Sequence, residues 1–122
     1  MAEKILIIED DYFLRDLMAK QLVKEGYEVF QAVDGEKGLE AAKKEIPDLI
    51  LLDLILPGMN GFEVLEKIKQ DIPLSKIVVM VLSNLAQKDD IDKALKLGAA
   101  DYLVKVNFVP EEIIEKIKSI LK

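Results

Sequence analysis

The chain has 122 residues, 51% of them hydrophobic and 33% charged, and a net charge of −6. That length suits one domain, and an acidic chain whose 17 basic residues include a single arginine, Arg15, is a poor match for a surface that tracks nucleic-acid phosphates. It has no cysteine and no histidine, so disulfide, thiolate and imidazole chemistry are excluded. Carboxylates, lysines and hydroxyls remain, a set that favours hard cations such as magnesium or calcium.

The first apolar run, residues 5–8, is read as a strand and stops at three acids, Glu9, Asp10 and Asp11. Residues 13–24 carry apolar side chains at helical spacing and end before Gly26, a helix-closing glycine. Residues 28–33 alternate loosely and are read as a less buried strand, and Asp34-Gly35 as a turn. A second helix is expected over 36–44, stopping before Pro47. Residues 49–52 are continuously apolar and end at Asp53, followed by loop chemistry at 57–61. Phe62, Leu65, Ile68 and Ile72 mark a third helix. Residues 77–82 form a β-branched strand ending at Ser83, and 89–97 a fourth helix closed by Gly98. A short strand at 102–104 ends at Lys105, and Pro110 opens a fifth helix with an isoleucine stripe at 113, 114, 117 and 120.

Five β-then-α units with continuously apolar strands imply a doubly wound α/β domain, a five-stranded parallel sheet with helices on both faces. Ligands of such sheets bind beyond the carboxyl ends of the strands, at the switch point of strand order. Strands 1, 3, 4 and 5 deliver Glu9-Asp10-Asp11, Asp53, Ser83 and Lys105 to that edge, and strand 2 delivers none. The strand order 2-1-3-4-5 is therefore expected. Three carboxylates, Glu9, Asp10 and Asp53, would then crowd one crevice, and Lys105 alone does not neutralise them. A divalent cation with oxygen ligands does, and a carboxylate beside a metal, a lysine and a hydroxyl is a candidate phosphoryl acceptor. Asp11, Asp89-Asp90 and Glu111-Glu112 are read as helix-start acids.

These pieces, ILIIEDD at 5–11, DLILLDLILPGMNG at 48–61, Ser83 after an apolar run and GAADYLVK at 98–105, stand in order at matching spacing. Over essentially the whole chain the sequence resembles the receiver domain of two-component response regulators. The resemblance implies that Asp53 is the phosphoacceptor. Glu9, Asp10, Asp53 and the backbone carbonyl of Ile55 would hold Mg2+. Ser83 would be the switch hydroxyl, Lys105 the phosphoryl-pairing lysine, and Tyr102 the aromatic coupled to that hydroxyl. Pro57 and Gly61 match the loop after the acceptor strand.

The departures lie at Val106, where the family usually has proline after the lysine, and at Asn84, commonly alanine or glycine. A trans Lys105–Val106 peptide is expected, because a cis bond before valine costs about 2.5–4 kcal/mol. Asn84 would narrow access to Asp53 or contact the phosphoryl group. Ile55 and Leu85, two residues beyond Asp53 and Ser83, are apolar and cannot orient an attacking water, so slow self-dephosphorylation is expected.

The resemblance implies a phosphorylation-activated switch. A histidine kinase or histidine phosphotransfer protein would donate, and the surface of helix 4, strand 5 and helix 5 would engage an output partner. A homodimer through that surface stays open. Catalysis would be limited to the chain's own phosphorylation and dephosphorylation. Residues 1–122 are expected to be a single receiver domain without an output domain. It would be cytoplasmic, with no direct nucleic-acid contact and no membrane insertion. The alternative is a pseudo-receiver, a scaffold of the same fold that is never phosphorylated. A flavin mononucleotide carrier is disfavoured, because Glu9-Asp10-Asp11 would repel the cofactor's phosphate. So is a dehalogenase-type phosphatase, whose aspartyl nucleophile follows strand 1.

Overall fold

The computed structural model describes residues 2–122. Its elements in chain order are β1 (Lys4–Ile8), α1 (Tyr12–Lys24), β2 (Glu28–Ala32), α2 (Gly35–Glu45), β3 (Leu49–Leu52), α3 (Gly61–Gln70), β4 (Val78–Ser83), α4 (Lys88–Lys96), β5 (Asp101–Val104) and α5 (Pro110–Leu121). Short 3-10 turns cover Ile72–Leu74 and Lys105–Asn107. The sheet is all parallel in the order β2-β1-β3-β4-β5, as expected from the positions of the strand-end polar residues.

Successive strand residues point to opposite faces, and here both faces are covered. Leu6, Ile8, Ile50, Leu52, Val79 and Val81 pack into one core with α2, α3 and α4. Ile5, Ile7, Leu49, Leu51, Met80 and Leu82 pack into the other with α1 and α5. Hence the inner strands carry no polar alternation, and their polar residues fall only where the strands end. β2 lies at the sheet edge, and only its last residue, Ala32, is buried.

Helix starts follow side-chain chemistry. Asp11 Oδ1 accepts from the Leu14 N–H and Asp34 Oδ1 from the Lys37 N–H, satisfying amide groups that the helices cannot pair internally. Asp89-Asp90 and Glu111-Glu112 occupy the first turns of α4 and α5, favourable with the helix dipole. Gly26, at φ 97°, takes the left-handed conformation that ends α1.

Two expectations need correction. Ile72 does not extend the third helix. α3 ends at Gln70, and Ile72 sits 85% exposed in a 3-10 turn. Pro73 follows it, and a residue before proline is disfavoured in the helical region. The second strand ends at Ala32, and Val33 lies beyond it, exposed. The end of α3 is held instead by Lys69, whose Nζ donates to the carbonyls of Ser75 and Ile77 at 3.1 and 2.7 Å.

Candidate functional site

The site is assembled where four strands end. The Asp53 N–H continues the ladder to the Ile8 carbonyl at 3.0 Å, and the Glu9 N–H pairs with the Ala32 carbonyl at 3.1 Å. Both acids are thus rigid continuations of central strands, and both are buried, Glu9 at 3% and Asp53 at 4% exposure. Asp10 is exposed at the rim. One carboxylate oxygen from each of Glu9, Asp10 and Asp53 lies within 4.8 Å of the others.

Lys105 enters from the turn after β5. Its Nζ stands 2.8 Å from Glu9 Oε1 and 2.9 Å from Asp53 Oδ2. The remaining oxygens accept backbone N–H groups: Glu9 Oε2 from Asp11 at 3.1 Å, and Asp53 Oδ1 from Ile55 at 3.2 Å. The peptide after Lys105 is trans, as expected, and Val106 is 80% exposed. The 3-10 turn that starts at Lys105 therefore delivers the ammonium to Asp53 without a proline.

The electrostatics show a shortage of positive charge. Burial pushes the Glu9 carboxyl up to about 7; the Lys105 hydrogen bond opposes this shift, and the Asp53 charge reinforces it. For Lys105 burial acts downward, but its hydrogen bonds to Glu9 and Asp53 prevail and raise it above the usual lysine value. An all-oxygen donor set with one buried member holding a proton near neutrality fits a hard divalent cation, which would displace that proton.

Ser83 ends β4 and is fully buried; its Oγ accepts from the Leu85 N–H at 3.3 Å. The Tyr102 hydroxyl donates to the Leu85 carbonyl at 2.6 Å. Burial, with the Asp90 and Asp53 charges, raises the Tyr102 phenol and keeps it a donor. Ser83 and Tyr102 thus meet through the backbone of Leu85, and among the described residues neither hydroxyl bonds a carboxylate. Asn84 is exposed.

Gly61 starts α3 against the acceptor strand. A Cβ there would overlap the Asp53 carbonyl oxygen and lie 2.5 Å from Leu54 Cα. Only glycine allows this approach. Pro57 is exposed in the same loop. Sequence reasoning missed two contributors. Arg15 donates to the Glu9 carbonyl, and the Leu85 backbone joins Ser83 to Tyr102. The burial of a lone arginine gives no sequence signal, and a backbone carbonyl is independent of residue type.

Fold and site together define a doubly wound α/β protein with an acidic, lysine-bridged crevice at the switch point of its sheet. Residues 5–118 match the response regulator receiver domain, and the chain belongs to that family. It is 39% identical to sporulation initiation phosphotransferase F of Bacillus subtilis, over 99% of this chain and 95% of that protein. It is 41% identical to the DNA-binding dual master transcriptional regulator RpaA of Synechocystis sp., over 98% of this chain and 49% of that protein. The chain therefore spans about half the length of several of its curated relatives. Among solved structures it is similar to a CheY-like response regulator receiver domain protein from Methanospirillum hungatei. The TM-score is 0.92 and the identity 32%, with 99% and 94% of the two chains covered. It is also similar to the Mn(2+)-bound form of response regulator Rcp1, at TM-score 0.82 and 29% identity, with 96% and 92% covered. Receiver domains are phosphorylation switches of two-component signalling that take part in their own phosphorylation and dephosphorylation. Among the described residues no helix is long and apolar enough to cross a membrane.

Proposed function

We propose that residues 1–122 act as one receiver unit in which Asp53 accepts a phosphoryl group from a phosphohistidine of a separate kinase or phosphotransfer protein. The observation that carries this reading is the Lys105 ammonium, 2.9 Å from the buried Asp53 carboxylate, with Glu9 and Asp10 beside it. Asp53 Oδ attacks phosphorus, the phosphorus–nitrogen bond of the donor breaks, and its electron pair returns to the imidazole. Residues 1–122 contain no histidine, so they do not supply the donor themselves.

Glu9, Asp10, Asp53 and the Ile55 carbonyl are assigned to Mg2+. When bound, the ion neutralises phosphoryl oxygens and lowers the repulsion met by the attacking carboxylate. Lys105 pairs with the added phosphoryl charge, and Ser83 turns its hydroxyl toward it, releasing the Leu85 N–H. Leu85 is also bonded by Tyr102, so that release reaches the face of α4, β5 and α5, which is assigned to the output partner.

The rim supports docking of a donor protein. Phe13 in the first turn of α1, Ile55 in the segment between β3 and α3, and Val106 and Val109 between β5 and α5 are 78%, 54%, 80% and 54% exposed. Exposed apolar groups around a polar site are what a transient protein interface uses. The apolar Ile55 and Leu85 offer no side chain to orient water, which supports a long-lived phosphoryl group. A cytoplasmic location fits a phosphohistidine donor and a chain without cysteine.

The test is intact mass after incubation with acetyl phosphate and Mg2+. One added phosphoryl group on the parent, absent from Asp53→Asn and blocked by EDTA, supports the reading. No added mass under any condition refutes it in favour of an unphosphorylated scaffold. Loss of the group within seconds in Mg2+ buffer refutes the slow-hydrolysis assignment alone.

A further inference from the structure

Arg15 is the single arginine of the sequence, and it is buried at 9% exposure. A buried guanidinium ordinarily has a carboxylate beside it. Among the described residues none lies within salt-bridge distance of Arg15. Its fork is used differently. Nη1 donates to the Glu9 backbone carbonyl at 2.8 Å, and Nε donates to Gln31 Oε1, on the edge strand β2, at 3.2 Å. The guanidinium carbon lies 5.5 Å from the centre of the Tyr12 ring, at the first residue of α1.

The bonded carbonyl is placed where it matters for the acidic site. Glu9 is the first residue past β1, and its N–H is already fixed to Ala32. With its carbonyl held by Arg15, both sides of the Glu9 backbone are pinned. Its side chain faces Lys105, and Asp10 follows directly. Arg15, Glu9 and Asp53 also line one gap too small for water, together with Met18, Leu51 and Leu82. Its two hydrogen bonds go to a backbone carbonyl and an amide oxygen, so neither occupies a carboxylate oxygen of the site.

We infer that Arg15 is a positioning residue for the acidic site. Its guanidinium fixes the Glu9 backbone and with it the spacing of the Glu9 and Asp10 carboxylates around a divalent cation. A lysine keeps the charge but, as a point donor on a flexible stem, does not hold two acceptors on different strands in one plane. This inference rests on the assignment of Glu9, Asp10 and Asp53 to Mg2+.

The experiment titrates Mg2+ into the parent, Arg15→Met, Arg15→Lys and Ile117→Ala, following the amide resonances of Glu9, Asp10 and Asp53. Ile117, of α5, is fully buried in the core that also contains α1 residues and lies outside the site, so its variant reports what lost stability alone does. Arg15→Met is expected to bind Mg2+ about tenfold more weakly, the scale on which outer partners of metal ligands act. Arg15→Lys should be intermediate, and Ile117→Ala should match the parent. If Arg15→Met does not fold, Arg15→Lys decides alone. Parent-like affinity in the folded Arg15 variants overturns the inference and leaves the metal assignment standing. So does an equal loss in Ile117→Ala, which would reduce Arg15 to a structural role. A parent whose three amides do not respond to Mg2+ overturns the metal assignment, and the inference with it.

Discussion

The Lys105–Asp53 ion pair should have a very different cost when it is broken from its two ends. At an effective dielectric of about 20, opposite unit charges 2.9 Å apart attract by about 6 kcal/mol. Like charges no more than 4.8 Å apart repel by at least about 3.5 kcal/mol on the same basis. Asp53→Asn loses the first term but also removes its repulsion with Glu9, a smaller solvent-screened repulsion with exposed Asp10, and the desolvation of a buried charge. The asparagine oxygen still accepts from Ile55 or Lys105, and Lys105 keeps Glu9 at 2.8 Å. The terms nearly cancel, so Asp53→Asn should stay within about 1 kcal/mol of the parent, against the 3–5 kcal/mol typical of an orphaned buried charge. Lys105→Met strands two buried carboxylates and should cost that full 3–5 kcal/mol, or about as much as the protein can lose before unfolding becomes appreciable. The assay is urea unfolding by circular dichroism in EDTA at pH 8, above the Glu9 value of about 7. Mg2+ should then set the parent clearly above Asp53→Asn, because a ligand at a hundred times its Kd adds about 2.7 kcal/mol. A loss of stability in Asp53→Asn matching that in Lys105→Met would refute this account of the site's charges.

Magnesium binding should release a proton near neutrality. Burial, aided by the Asp53 charge, holds Glu9 at about 7, so apparent affinity should fall about tenfold per pH unit below 7 and level off above it. Calorimetry in buffers of different ionisation enthalpy reads this directly. In EDTA the same group has the opposite sign for stability. Its folded value lies above its unfolded one, so its contribution is fully present below 4.5 and is lost as pH rises through 7. Denaturant midpoints across that window check it, and a contribution that grows with pH would count against it. Gly61→Ala should cost about 1–3 kcal/mol, since the new methyl meets the backbone of Asp53 and Leu54. It should also slow acetyl phosphate labelling by displacing Asp53. Tyr102→Phe should cost about 0.5–1.5 kcal/mol through its lost bond to Leu85 and speed amide exchange at Leu85; unchanged exchange there would argue that this bond does not hold the loop.

The sheet was legible because burial on both faces removes polar alternation and leaves polar residues only at strand ends. From those ends followed the strand order and the meeting of Glu9, Asp10, Asp53 and Lys105. What failed were local competitions that periodicity does not record. Ile72 keeps the apolar spacing of α3, yet the proline after it turns the chain and leaves it exposed. The trans peptide expected before Val106 is present, and the 3-10 turn that starts at Lys105 brings its ammonium to Asp53. Arg15 was visible only as the lone arginine. Its role requires β1, β2 and α1 to meet, which is tertiary information. The upward shift of the Glu9 carboxyl was hidden for the same reason, since its largest cause is burial.

The shortage of positive charge gives the site its direction of response. Two central strands hold Glu9 and Asp53 in place whether or not their charges are balanced, so the imbalance is met by whatever arrives: a proton on Glu9 or a divalent cation. On the proposed reading, a phosphoryl group on Asp53 would then add negative charge to a crevice whose single ammonium already spans two acids. Among the described residues the Lys105 ammonium bonds only Glu9 and Asp53, so its three donors could turn to phosphoryl oxygens without leaving its turn. The next donor is Ser83, buried at the end of β4, and among the described residues its hydroxyl has one hydrogen bond, a long one accepted from the Leu85 N–H. Turning that hydroxyl toward the phosphoryl group exchanges a weak neutral bond for a charge-assisted one, which favours the exchange. Leu85 would then stay bonded through its carbonyl to Tyr102, so a charge added just past β3 would be felt first on the face of α4 and β5.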